Sequence, residues 1–151
     1  MPERPVLLLM DFQHGVVESL GNPAVLAAAD RAAAGARKAG IPVMFVRVGF
    51  RPGYPEISPS NGTFSAITTG AGDAYTEGHP ATQVHAALAP LDGEPVIVKR
   101  RVRQAADLDY RLTVLADACA DRDPEVHRVL TEKVFPRQAL VTTVDEWIAS
   151  L

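Results

Sequence analysis

The chain has a single cysteine, Cys119, in 151 residues. That excludes an internal disulfide and suits a reducing compartment, so a cytoplasmic location is expected. It has no cationic excess either: 15 Lys and Arg against 18 Asp and Glu give a net charge of −3. Nucleic acid and anionic membrane surfaces are therefore not expected partners. No apolar run approaches the roughly 20 residues needed to span a bilayer. The apolar stretch near the amino end is short and closes on Asp11-Phe12-Gln13 rather than on small residues, so it reads as a core strand and not a signal peptide. There is no Gly-rich phosphate loop after that strand and no Gly-x-Ser-x-Gly elbow anywhere, which argues against a nucleotide-binding loop and a serine hydrolase. The four histidines, His14, His79, His85 and His127, have no close metal-ligand spacing, so neither a metal nor another cofactor is expected.

What is present is the alternation of a globular α/β protein. Apolar residues make up 47% and mean hydropathy is +0.04, enough for one domain over residues 1–151 with a real core. Val6 to Met10, Ile41 to Val48 and Pro95 to Lys99 are continuous apolar runs without alternation, the pattern of parallel strands buried on both faces. Asn22-Pro23 opens an Ala-rich helix that Gly40 ends, and Asp123-Pro124 opens a second, running to about Phe135. A short helical turn is expected at Val84–Leu88, a helix at Arg103–Tyr110, strands at Arg111–Ala118 and Ala139–Val144, and a closing helical turn to Leu151. Strands alternating with helices give a three-layer α/β/α, Rossmann-like arrangement around a mostly parallel, doubly wound sheet. The stretch from Gly49 to about Pro80 is irregular, and a segment that long inside a compact domain usually serves function.

Two strands end in opposite charges: Asp11 after the first and Lys99 on the third. In open parallel sheets ligands bind beyond the carboxyl ends of the strands, so both side chains are placed to face one crevice. Taken singly, Asp11 reads as a turn former and Lys99 as a solvated strand end. Together they read as a candidate catalytic pair. Gln13 and Arg47 are candidate substrate-binding residues beside them, with His14 next to the first and Arg51 near the second; the arginines suit a carboxylate, though a surface turn and solvated charges are equally open readings.

Leu-Leu-Met-Asp-Phe-Gln at the first strand end and Pro-Val-Ile-Val-Lys-Arg at the third resemble the isochorismatase-like cysteine hydrolases. Gln104 to Tyr110, Asp117-Ala118-Cys119-Ala120-Asp121 and Val134-Phe135-Pro136 agree with that family too, so the resemblance runs over nearly the whole chain. It implies hydrolysis of a small molecule at a C–N or vinyl-ether bond, and a homo-oligomer. It also implies an Asp–Lys–Cys triad in which the acid takes the nucleophile's proton, the lysine supports the thiolate and anionic intermediates, and the cysteine forms a covalent intermediate. Asp11 and Lys99 match the acid and the lysine. Nicotinamidase-type members carry a metal site after the second strand, but Phe50 to Glu56 here contains no histidine.

The cysteine has no counterpart. The family's nucleophile opens a helix directly after a strand that follows the lysine strand, whereas here Lys99 runs into Arg100-Arg101-Val102-Arg103. Roughly thirty residues, about one crossover unit, are missing near Val102. Cys119 lies in a different motif, where a lone cysteine behaves as a small hydrophobe. Three readings stay open: a hydrolase whose sequence has lost a segment, a pseudoenzyme that binds small ligands, and a noncatalytic relative that associates. Asp11 and Lys99 are expected to meet and Cys119 to lie apart from them. A lost segment would leave a strand position empty between the first strand and the one beginning near Arg111, whereas in a continuous chain those two strands must pair directly or stay splayed.

Overall fold

The computed structural model describes residues 4–58, 69–100 and 111–151. Strand β1 (Leu7–Met10) lies parallel to β2 (Val43–Val48), and β2 pairs on its other side, again in parallel, with β3 (Val96–Lys99). The register sets Leu9 beside Phe45 and Val46 beside Ile97. A second parallel pair joins β4 (Leu112–Leu115) to β5 (Ala139–Thr142). Helices with described bounds include α1 (His14–Leu20), α2 (Pro23–Lys38), α3 (Pro124–Val129) and α4 (Val144–Ala149). The α/β class with parallel strands agrees with the sequence. Among the described residues, however, the strands form two separate groups, and β1 and β4 are not hydrogen-bonded to each other.

Helix α2 organises the core. Asn22 Oδ1 accepts the Ala24 N–H at 3.2 Å, and Pro23 fills the first helical position, where its missing donor costs nothing. Val25, Ala28, Ala29, Ala32, Ala33 and Ala36 make one buried stripe at helical spacing. Their small side chains let the helix close onto Leu7, Leu9, Val43 and Phe45, and the same cluster takes in Leu115 and Val144 from the second half. Phe45 is 1% exposed, and burying it stabilises the fold by about 3 kcal/mol. Gly35 lets α4 pack closely on α2, since a Cβ there would stand 2.7 Å from Ile148 Cγ1. Arg37 donates twice to Glu94, at 2.8 Å each, fixing the outer side of α2 to the start of β3. That pairing holds the Glu94 carboxyl below the usual range, chiefly through the Arg37 hydrogen bond.

Four features depart from the sequence reading. The chain enters α1 directly after β1, although Gly15 and β-branched Val16 and Val17 weaken the helical signal there. Beyond α3 the backbone continues as a π turn (Leu130–Val134) and a 3-10 turn (Phe135–Arg137) instead of one long helix. The fourth strand stops at Leu115, because a 3-10 turn (Ala116–Ala118) follows that lets Asp117 Oδ1 accept the Val144 N–H at 2.8 Å. Finally, the strands are not buried on both faces. Leu7 and Leu9 are buried, whereas Leu8 and Met10 are 43% and 40% exposed. Ile97, on the same face as these two by its register, is 45% exposed. The face toward α2 buries Leu7, Leu9, Val43 and Phe45, while Leu8, Met10 and Ile97 on the other face stay 40–45% exposed. The Arg103–Tyr110 helix of the sequence reading lies outside the described residues.

Candidate active site

Asp11 follows the last residue of β1 and extends its ladder, donating its N–H to Val46 O at 2.8 Å. Its φ of 62° is left-handed, a conformation Asp tolerates better than most residues, and it turns the chain sharply into α1. Lys99 is the final residue of β3, level with Val48 on β2. With β2 between them, β1 and β3 are about 10 Å apart, a span that a lysine stem and an aspartate cover together. The Lys99 ammonium donates to Asp11 Oδ2 at 2.6 Å. Lys99 is 17% exposed at its side chain and Asp11 37%, so the pair sits at the rim rather than in the core. Asp11 Oδ1 is buried and has no hydrogen-bond partner among the described residues. An unpaired buried carboxylate oxygen is costly, and it is the free acceptor that a proton-bearing group would meet.

The neighbouring candidates are engaged with backbone. Gln13 is 1% exposed. It donates through Nε2 to Val48 O at 2.8 Å and Thr82 O at 2.9 Å, while its Oε1 accepts the Val48 N–H at 2.8 Å. These bonds tie the carboxyl ends of β1 and β2 to the loop around Thr82. Arg47 Nη1 donates to Glu77 O, Thr82 O and Thr82 Oγ1 at 3.2–3.3 Å. Both side chains are taken up by Val48, Thr82 and Glu77, and the register places Arg47 level with Val98 rather than with Lys99.

Sequence reasoning did not foresee the ion pairs that Arg51 and Arg100 make with Glu56 and Glu77. Arg51 donates to Glu56 at 2.7 Å, and Arg100, next to Lys99, lies 3.6 Å from Glu56 and donates through Nε to Glu77 at 3.0 Å. The Arg51 hydrogen bond holds the Glu56 carboxyl below its ordinary value, and the Glu77 bond raises Arg100. His14 and His85 stack with ring centroids 4.8 Å apart, and His85 N–H donates to Phe12 O. Only the spatial adjacency of separate loops could have revealed these contacts. Among the described residues no three His, Cys, Asp or Glu side chains converge to hold a metal ion. An open hollow of about 390 Å³ lies elsewhere, lined by Pro52, Gly53, Tyr54, Gly72, Asp73 and Thr76. It includes neither member of the ion pair.

Cys119 follows the turn after β4. Burial pushes its thiol up, and Asp117 adds to the shift, so the thiolate needed for nucleophilic attack is disfavoured. Among the described residues no hydrogen bond or ion pair connects it to Asp11 or Lys99.

A parallel α/β protein with a carboxylate–ammonium pair at its strand ends has the layout of a small-molecule enzyme. Residues 5–103 and 100–146 match the Isochorismatase domain. The chain belongs to the isochorismatase family. An isochorismatase family protein of Escherichia coli is 25% identical over 178 residues, covering 96% of this chain and 95% of that protein. A cysteine hydrolase from Pseudomonas syringae superposes with a TM-score of 0.81 at 16% identity, over 97% of this chain and 91% of that one. An isochorismatase family protein from Desulfovibrio vulgaris gives 0.80 at 22% identity, over 97% and 100%. N-carbamoylsarcosine amidase from Thermoplasma acidophilum gives 0.68 at 18% identity, over 95% and 98%. Among the described residues no helix is long and apolar enough to cross a membrane.

Proposed function

We propose that Asp11 and Lys99 are the acid–base and cationic members of a hydrolytic centre for a small molecule with a C–N amide or vinyl-ether bond. The 2.6 Å contact between the two strand ends carries this reading. Lys99 orients the Asp11 carboxylate through Oδ2, which leaves Oδ1 as the proton acceptor, and its ammonium lies where an oxyanion would be stabilised. Gln13 braces the strand end that precedes Asp11's helix against Val48, and the charges of Arg51 and Arg100 are balanced by Glu56 and Glu77. The likeness of the fold to an amidase supports the C–N bond as one substrate class.

The same geometry limits the chemistry. The one thiol of the chain is held protonated in a different turn, so a covalent thioester route is not open to these 151 residues. Hydrolysis by this polypeptide alone runs through a water deprotonated by Asp11, which is slow. The test is an assay of the purified chain on primary amides, N-carbamoyl amino acids and isochorismate. The expected result is little turnover, unchanged by Cys119→Ala and abolished by Asp11→Asn. Fast turnover that disappears in Cys119→Ala would overturn the proposal.

A further inference from the structure

Two short turns precede β3, and both are capped by histidine. Pro80–Thr82 and Ala86–Leu88 are single 3-10 turns. The Ala81 N–H donates to His79 Nδ1 at 3.1 Å, and the Ala87 N–H donates to His85 Nδ1 at 3.2 Å. Helices α2, α3 and α4 use the ordinary capping residues Asn22, Asp123 and Thr143, whose oxygens go on accepting across the neutral range. An imidazole accepts only while it is neutral, through the nitrogen that carries no proton. These contacts therefore place the proton of each ring on Nε2.

The same turns hold the chain that leaves β1. The His14 N–H donates to Gln83 O at 3.0 Å, and the His85 N–H donates to Phe12 O at 2.8 Å, around an antiparallel bridge of Gln13 with Val84. Gln13 Nε2 donates to Thr82 O at 2.9 Å, inside the first turn. Thr82 and Leu88 are buried and anchor one turn each. Residues 12–14, which directly follow Asp11, are thus tied to a segment whose two turns both depend on a neutral ring.

Among the described residues few charged or titratable groups face these rings. Asp73 Oδ1 lies 3.8 Å from His79 Nε2 but is 84% exposed, so it supports a protonated ring only weakly. The His14 ring stacks on His85 at 4.8 Å, and Glu18 lies 3.9 Å from His14 Nδ1. Histidine is the side chain whose charge ordinarily changes between about pH 5 and 8. Protonation turns Nδ1 into a second donor aimed at a backbone N–H, so the cap is lost. The bonded form is the neutral one, and the caps are complete at higher pH and given up as the pH falls through that range.

We infer that the segment from His79 to Leu88 is a pH-sensitive latch: neutral His79 and His85 hold its two turns against residues 12–14, and protonation of the rings releases them. The latch is separate from the hydrolytic reading of Asp11 and Lys99, and its test needs no turnover.

Nitrogen-15 spectra of the imidazoles and amide exchange are read on the intact chain. At about pH 7.5 His79 and His85 should both show the Nε2–H tautomer. Lowering the pH to about 5 should cut the protection factors of the His14 and His85 amides by roughly tenfold, as expected for the loss of two caps. The Phe45 amide, which donates to Pro95 O within the sheet, should keep its protection. The double variant His79→Asn, His85→Asn retains side-chain acceptors that do not titrate, so its protection should be equal at both pH values. An Nδ1–H tautomer on either ring at the higher pH would overturn the proposal. So would unchanged protection of the parent at the lower pH, or a pH response that survives in the double variant, which would assign it to His14 or a carboxylate.

Discussion

Gln13 should contribute more to stability than any other polar residue in the described structure, because its amide closes the floor of the site. Replacing it with methionine keeps the volume and removes three hydrogen bonds, two to Val48 and one to Thr82. Thr82 O retains the Arg47 contact at 3.2 Å. The Val48 N–H and C=O lose this partner, and each buried orphan costs about 1–3 kcal/mol. The expected loss for Gln13→Met is therefore about 2–6 kcal/mol, a large share of the 5–15 kcal/mol typical of a domain. For a chain of this size the midpoint should fall by roughly 4–24 °C. Gln13→Glu sharpens the test: its carboxylate keeps the Val48 N–H bond but faces two carbonyl oxygens it cannot donate to. Its destabilisation should ease as the pH is lowered and the carboxyl gains a donor proton. Urea unfolding of the three proteins measures both effects. A Gln13→Met variant within about 0.5 kcal/mol of the parent, the range of an ordinary surface change, would refute the reasoning.

Three further outcomes follow from named contacts. Glu94 is held below its ordinary value in the fold, so its contribution is present above the usual carboxylate range and is lost as the pH falls through the folded value. Glu94→Gln should cost about 1–2 kcal/mol at pH 7 and flatten the acid limb of the stability curve. Gly35→Ala should destabilise by about 1 kcal/mol in thermal unfolding despite the better helix propensity, because the new methyl collides with Ile148 at 2.7 Å. Cys119 should react with iodoacetamide more slowly than a free thiol at pH 7.5, measured by mass spectrometry, because burial and Asp117 keep it protonated.

The strands β1, β2 and β3 were legible because long Val, Leu and Ile runs have few alternatives, and α2 because Asn22-Pro23 and Gly40 bracket an alanine stripe. The ion pair was legible for a related reason: in parallel sheets the strand ends share one edge, so Asp11 and Lys99 are neighbours despite the 88 residues between them. The function of Gln13 was not legible. A neutral amide bonded to backbone 35 and 69 residues away leaves no local pattern. Helix α1 was hidden by Gly15 and two valines. Two-sided burial was the expectation for runs such as Val6 to Met10, and the bare face of β1 shows what that inference takes for granted: a full complement of covering elements.

The most direct test of the paired strand ends is a double-mutant cycle on Asp11→Asn and Lys99→Met, followed by urea unfolding at pH 7. Because the pair is partly exposed, its coupling is discounted for solvent screening, and the account predicts an interaction of about 1 kcal/mol. Stability losses that add to within about 0.3 kcal/mol would mean that the two side chains do not interact, and would contradict the site.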